Sequence, residues 1–251
     1  MAKGNSMAIC GDITRLKTPL KRPWSNRSFG SIWNLTGRRR SFCGWTVKNG
    51  GPLNGGLLSF SYGYGKIQLV LPEDVNGQKQ GGVIDLPGVK LRTGIMRGRF
   101  NPVDGQLYAC GMSAWGTSQT IKGGDFYRLR YTGKPVSLPT RLSAEEDGVT
   151  LTFANELEEK NVRMIANFTV QSWELKRSRK YGSDRYNTQT LTVSEVKLSR
   201  DKKTVKLILP GIKPVDVMTI AYSVTDSKGN TFKGKVQNTI HALKKADNRL
   251  F

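Results

Sequence analysis

The sequence predicts an all-β protein: a partial β-propeller of about two blades, followed by an Ig-like β-sandwich. Three observations carry this. Short runs of alternating apolar and polar residues recur at close spacing, glycine- and proline-rich corners separate them, and no run keeps a helical period. The composition, 37% hydrophobic and 9% aromatic over 251 residues, is that of a folded chain. No apolar stretch approaches the roughly 20 residues of a membrane-spanning helix.

Charge is the strongest compositional signal, with 40 Lys and Arg against 19 Asp and Glu and a net of +21. It is unevenly placed. Residues 1–50 carry ten basic residues against Asp12 alone, including Lys21-Arg22 and Arg38-Arg39-Arg40. They show no sustained period of 2 or 3.6, and Pro19, Pro23, Gly30 and Gly37 interrupt any helix. No apolar core of an export signal is present in them. This segment reads as a disordered or artefactual start. A nucleic-acid-binding arm is the alternative.

Residues 51–137 read as propeller blades. The stretch 55–65 is apolar and aromatic but too glycine-rich for a helix. Residues 66–71 alternate as a strand and stop at Pro72. Asn76-Gly77 marks a tight turn, with residues 82–87 as the returning strand. The runs 93–100 and 106–111 flank Asn101-Pro-Val-Asp-Gly105, a hairpin signature, and residues 126–131 alternate again. Blades occupy roughly 40–45 residues and rings close with about four to eight, so this region holds about two blades and does not close alone.

Residues 138–243 read as the sandwich. Strands are expected over 148–153, 167–173, 191–198, 204–209, 217–224 and 231–236, with a charged turn at 156–160 and another turn at 226–230. Residues 244–251 form a tail.

Three stretches carry a resemblance. Gly51-Pro-Leu-Asn-Gly-Gly-Leu-Leu-Ser-Phe-Ser-Tyr-Gly-Tyr-Gly-Lys66, Gly98-Arg-Phe-Asn-Pro-Val-Asp-Gly-Gln-Leu-Tyr108 and Gly123-Gly-Asp-Phe-Tyr-Arg-Leu-Arg-Tyr-Thr-Gly-Lys-Pro135 resemble the late part of the haem-associated, glucose/sorbosone-dehydrogenase-like propeller proteins of Planctomycetes and Verrucomicrobia. Tyr181-Gly182-Ser183 and Asn238-Thr-Ile-His-Ala-Leu243 resemble the tail after that propeller. The resemblance covers about residues 50–243. It implies an exported or periplasmic C-terminal fragment of a sugar- or alcohol-oxidising quinoprotein. Quinone and c-type haem belong to the intact family, and the rest of the propeller or carbohydrate is the implied partner.

The chemistry of that family is thin in this chain. No Cys-x-x-Cys-His surrounds Cys10, Cys43 or Cys110, so no c-type haem is expected. The one histidine, His241, lies in the tail and is the only histidine available as a general base. No catalytic residue or metal site is therefore assigned, and the chain alone is not expected to catalyse.

Arg97 and Arg99 are the best remaining candidates. At i and i+2 of a strand they share a face and could grip a quinone carboxylate or an acidic sugar. The plainer reading is a pair of exposed strand cations. Arg128 and Arg130 form a second such pair. Asp104 reads as a turn former, and Asp104 with Asp125 lacks the spacing of a calcium loop. Tyr62, Tyr64 and Trp115 are candidates for sugar stacking or for blade packing, and Trp173 for core packing. Lys176-Arg-Ser-Arg-Lys180 reads as a solvated loop whose contacts with a polyanion would be salt-sensitive. Two further functions stay open: a non-catalytic module binding acidic polysaccharide, and nucleic-acid binding through the basic start.

Overall fold

The computed structural model describes residues 40–44, 51, 53–113, 123–135, 138–179 and 182–251. The chain is all-β, with three antiparallel sheets, none closed. The strands are β1 (Arg40–Gly44), β2 (Leu57–Ser61), β3 (Lys66–Val75), β4 (Gln78–Asp85), β5 (Gly94–Phe100), β6 (Leu107–Met112), β7 (Gly124–Leu129), β8 (Pro139–Glu145), β9 (Gly148–Phe153), β10 (Phe168–Glu174), β11 (Tyr186–Leu191), β12 (Glu195–Leu198), β13 (Thr204–Ile208), β14 (Val215–Thr225) and β15 (Thr231–Ile240). Among the described residues a short α-helix, α1 (Glu159–Val162), and a single 3₁₀ turn (Ile165–Asn167) interrupt them. The sheets run β1-β2-β3-β4-β15-β14-β10-β11, β12-β13-β9-β8 and β5-β6-β7.

Among the described residues the chain forms two compact units, one from residues 40–68 and 86–134, the other from 69–85 and 135–251. In the first, β1 pairs with β2 and β5-β6-β7 form a meander. Its core gathers Leu58, Phe60, Ile67, Ile95, Leu107, Ala109, Tyr127 and Leu129, all buried. Strand β1 falls inside the stretch that looks patternless in sequence, because its order comes from the partner β2 and not from an alternation of its own. The aromatic, glycine-rich stretch likewise yields β2, with Leu58 and Phe60 fully buried.

In the second unit, β4-β15-β14-β10-β11 and β12-β13-β9-β8 share a core. Phe153 of β9 meets Tyr222 of β14 edge-on at 5.4 Å between ring centroids. Burial pushes the Tyr222 phenol above its ordinary pKa. Strand β3 runs on through Pro72, which is exposed, and opposite it Gly81 of β4 (φ 144°) approaches so closely that a Cβ there would lie 2.1 Å from the Leu71 carbonyl oxygen. Asn76 and Gly77 both take positive φ, 52° and 87°, as a two-residue hairpin turn requires.

The expected strand over 191–198 is two strands. Leu191 ends β11 in one sheet and Glu195 opens β12 in the other, so the chain changes sheets across residues 192–194. The charged turn at 156–160 runs into α1, which is capped by the Glu158 carboxylate, an acceptor from the Lys160 and Asn161 amides. Strand β8 starts at Pro139 and escaped notice in the sequence.

Candidate functional site

The meander β5-β6-β7 has one buried and one open face. Gly98, Leu107, Ala109, Tyr127 and Leu129 point inward, and the alternate residues Arg97, Arg99, Tyr108, Cys110, Phe126 and Arg128 point outward. Register sets the outward residues in two rows. Arg99, Tyr108 and Arg128 are successive cross-strand neighbours, as are Arg97, Cys110 and Phe126.

A β-bulge between Ile95 and Arg97 makes this possible. One residue, Met96, is inserted opposite the Gly111–Cys110 step, so Ile95 stays buried while Arg97 faces out. Gly98 lets the sheet sit on Phe60. A Cβ there would lie 2.4 Å from the ring.

With strands about 4.8 Å apart, the Arg99 and Arg128 backbones straddle Tyr108 at about 10 Å. Arg97, Arg99 and Cys110 are exposed; Tyr108, Phe126 and Arg128 are half-buried. The Tyr108 and Phe126 rings lie 5.9 Å apart, tilted by 32°. Tyr108 Oη donates to Asp104 Oδ2 at 2.8 Å, and Asp104 Oδ1 accepts from the Gln106 amide at 2.9 Å. Asp104 therefore shapes its turn and also orients the central tyrosine. Arg99 Nη1 donates to the Gly98 carbonyl at 2.7 Å, which anchors one corner of that guanidinium. The face thus offers three cations round two aromatic rings.

Arg97 and Arg99 do share this face, and Arg128 joins them across Tyr108. Arg130 lies beyond the end of β7 and is exposed. Tyr62 and Tyr64 are half-buried in the turn between β2 and β3. Trp115, Cys10, Lys180 and Tyr181 lie outside the described residues. Trp173 is buried at 5% exposure. His241 is exposed after β15, and its backbone amide donates to Gln80 Oε1 at 2.9 Å. Asp125 accepts from the Phe126 amide at 3.0 Å. Among the described residues no three His, Cys, Asp or Glu side chains cluster to hold a metal ion.

Neither cofactor of the resembled family fits these residues. Cys110 is followed by Gly111, Met112 and Ser113, not by a haem-attachment sequence. The arginines stand on an exposed sheet face, whereas a resident quinone needs a cavity that buries most of its surface.

Sequence reasoning missed Tyr108 and Phe126, although their alternation with buried Ala109 and Tyr127 was there to find. It also missed a buried charge cluster. Lys206, fully buried, sits 2.9 Å from both Glu145 Oε2 and Asp147 Oδ2. Its ammonium also donates to the Asp247 carbonyl and Asn248 Oδ1, and Glu145 Oε2 accepts the Asp247 amide. These bonds tie residues 244–251 to β8 and β13. Their role is structural. No protein-family model, curated protein or solved structure matches this chain.

Proposed function

We propose that this chain is a non-catalytic acidic-carbohydrate-binding part of a sugar- or alcohol-dehydrogenase-like propeller protein. In this reading β5-β6-β7 is blade sheet and β8 to β15 an Ig-like sandwich. The resemblance of residues 50–243 supports the family. The observation that carries the binding role is the row Arg99-Tyr108-Arg128 on an open sheet face.

The physical fit is direct. A uronic acid offers a planar carboxylate, matched by a guanidinium fork. Its pyranose ring offers an apolar C–H face to Tyr108 and Phe126. Because Arg97 and Arg99 are exposed and Arg128 is only half-buried, the attraction is screened by salt. Oxidation would need a free base beside the substrate hydroxyl, and the Asp104 carboxylate beside Tyr108 is already engaged by the Tyr108 phenol and the Gln106 amide.

The test is calorimetric titration of oligogalacturonate and a neutral galacto-oligosaccharide at two salt concentrations. The reading expects binding of the uronate alone, weaker at high salt, and about tenfold weaker in Arg99→Ala/Arg128→Ala, a loss of about 1.4 kcal/mol. Equal binding of both sugars, or tighter binding of single-stranded DNA, would overturn it. So would alcohol or sugar oxidation by the chain with added quinone and an electron acceptor, for the non-catalytic part.

A further inference from the structure

A second set of cations lies at β10 and β11 and belongs to neither the open face nor the core. Strand β11 carries one extra residue where Ser172 pairs with Gln189 but Glu174 with Tyr186, and Asn187 takes φ 50° there. The bulge turns the chain back over β10. The Arg185 guanidinium carbon lies 4.1 Å from the centre of the Trp173 ring, and Lys176 Nζ lies 4.2 Å from the centre of Tyr186.

The loop between them is fixed at its base. The Leu175 amide donates to Asp216 Oδ2 at 2.8 Å, and the Lys176 amide to Ser183 Oγ at 2.8 Å. Asn187 Nδ2 donates to Glu174 Oε2 at 2.7 Å, which engages that acid with a neutral partner. Lys176, Arg177, Arg179 and Arg185 are all exposed.

We propose that Arg185 and Lys176, held on Trp173 and Tyr186, with Arg177 and Arg179 exposed on the same loop, bind the sulfate esters of a sulfated polysaccharide. A guanidinium held over an indole at 4.1 Å has lost much of its rotational freedom, and Arg185 remains exposed to solvent. A tetrahedral oxyanion then meets preset donors. The occupied rings select the ligand class. Arg185 covers Trp173, itself only 5% exposed, and Lys176 lies over Tyr186. A single-stranded nucleic acid needs open aromatic faces on which bases stack. The site instead reads charge and oxyanion shape.

The proposal is independent of the open face of β5-β6-β7, and its test separates the two. The full chain, ¹⁵N-labelled, is titrated with a sulfated oligosaccharide, the same oligosaccharide desulfated but retaining its carboxylates, inorganic sulfate, and single-stranded DNA of equal charge. The readout is the Trp173 indole N–H resonance, assigned with Trp173→Phe. The sulfated ligand should shift it saturably, with at least about tenfold tighter binding than its desulfated form. Arg185→Ala should lose that preference, Arg185→Lys should lose part of it, and Arg99→Ala/Arg128→Ala should keep it. Unchanged melting temperatures show that the variants fold. Equal affinity for the desulfated ligand, an unaltered response in Arg185→Ala, saturation by inorganic sulfate alone at equal affinity, or tighter binding of the DNA would each overturn the proposal.

Discussion

Tyr108 and Asp104 are joined across the β5–β6 turn: the phenol donates to Asp104 Oδ2 at 2.8 Å while Asp104 Oδ1 holds the Gln106 amide at 2.9 Å. One carboxylate thus fixes both the hairpin and the ring at the centre of the open face. Asp104→Ala should cost about 1–2 kcal/mol in urea unfolding and weaken uronate binding severalfold. Tyr108→Phe removes only the phenol bond. It should keep most of the binding, because the ring face does the packing. Side-by-side melts and titrations of the two variants check this.

The inward face is set by contact with Phe60. Gly98→Ala would place a methyl 2.4 Å from that ring, where a packed core has no slack. We expect a loss of about 1–3 kcal/mol. Phe60→Leu combined with Gly98→Ala should recover part of it, measured by a double-mutant cycle in urea.

Lys206 should behave as a buried ion whose removal strands its partners. Lys206→Ala leaves Glu145 buried and loosens residues 247–248, for an expected cost of about 3–5 kcal/mol. Burial alone disfavours the ammonium, but the hydrogen bonds and charges of Asp147 and Glu145 outweigh it and raise its pKa. A raised folded pKa contributes stability that is fully present below the unfolded value, about 10.4, and is lost as pH rises through the folded value. Urea midpoints at alkaline pH should therefore fall faster in the parent chain than in Lys206→Met.

Asp226 gives the opposite sign. Burial raises its pKa, but the Asn230 side chain and the Asn230 and Lys228 amides donate to it and bring it below the ordinary value. Its contribution is present above about 3.9 and disappears as pH falls through the folded value. In Asp226→Asn that part of the acid sensitivity should vanish, seen as a flatter stability profile in the acid limb.

Much of the strand pattern was legible because period-2 alternation survives in one-sided sheets. The strand Gly148–Phe153 lies where alternation put it, and Arg97 with Arg99 on one face follows from spacing alone. What lay beyond the sequence was set by partners. The pairing of Arg128 with Tyr108 needs the register of β6 against β7. The bulge at Met96 is a tertiary adjustment that leaves no local signature. Lys206 looks like a surface lysine until Glu145, 61 positions away, meets it. The run from Lys176 reads as a solvated loop because the ring beneath Lys176, Tyr186, comes from a separate strand.

Cys110 offers the most direct test of the acidic-carbohydrate account, since it is exposed between Arg97 and Phe126 on the open face. Its alkylation rate by iodoacetamide can be followed by mass spectrometry of the peptide containing it. The account predicts that oligogalacturonate slows alkylation saturably, that a neutral galacto-oligosaccharide does not, and that Arg99→Ala/Arg128→Ala abolishes the protection. An alkylation rate unaffected by saturating oligogalacturonate would contradict it.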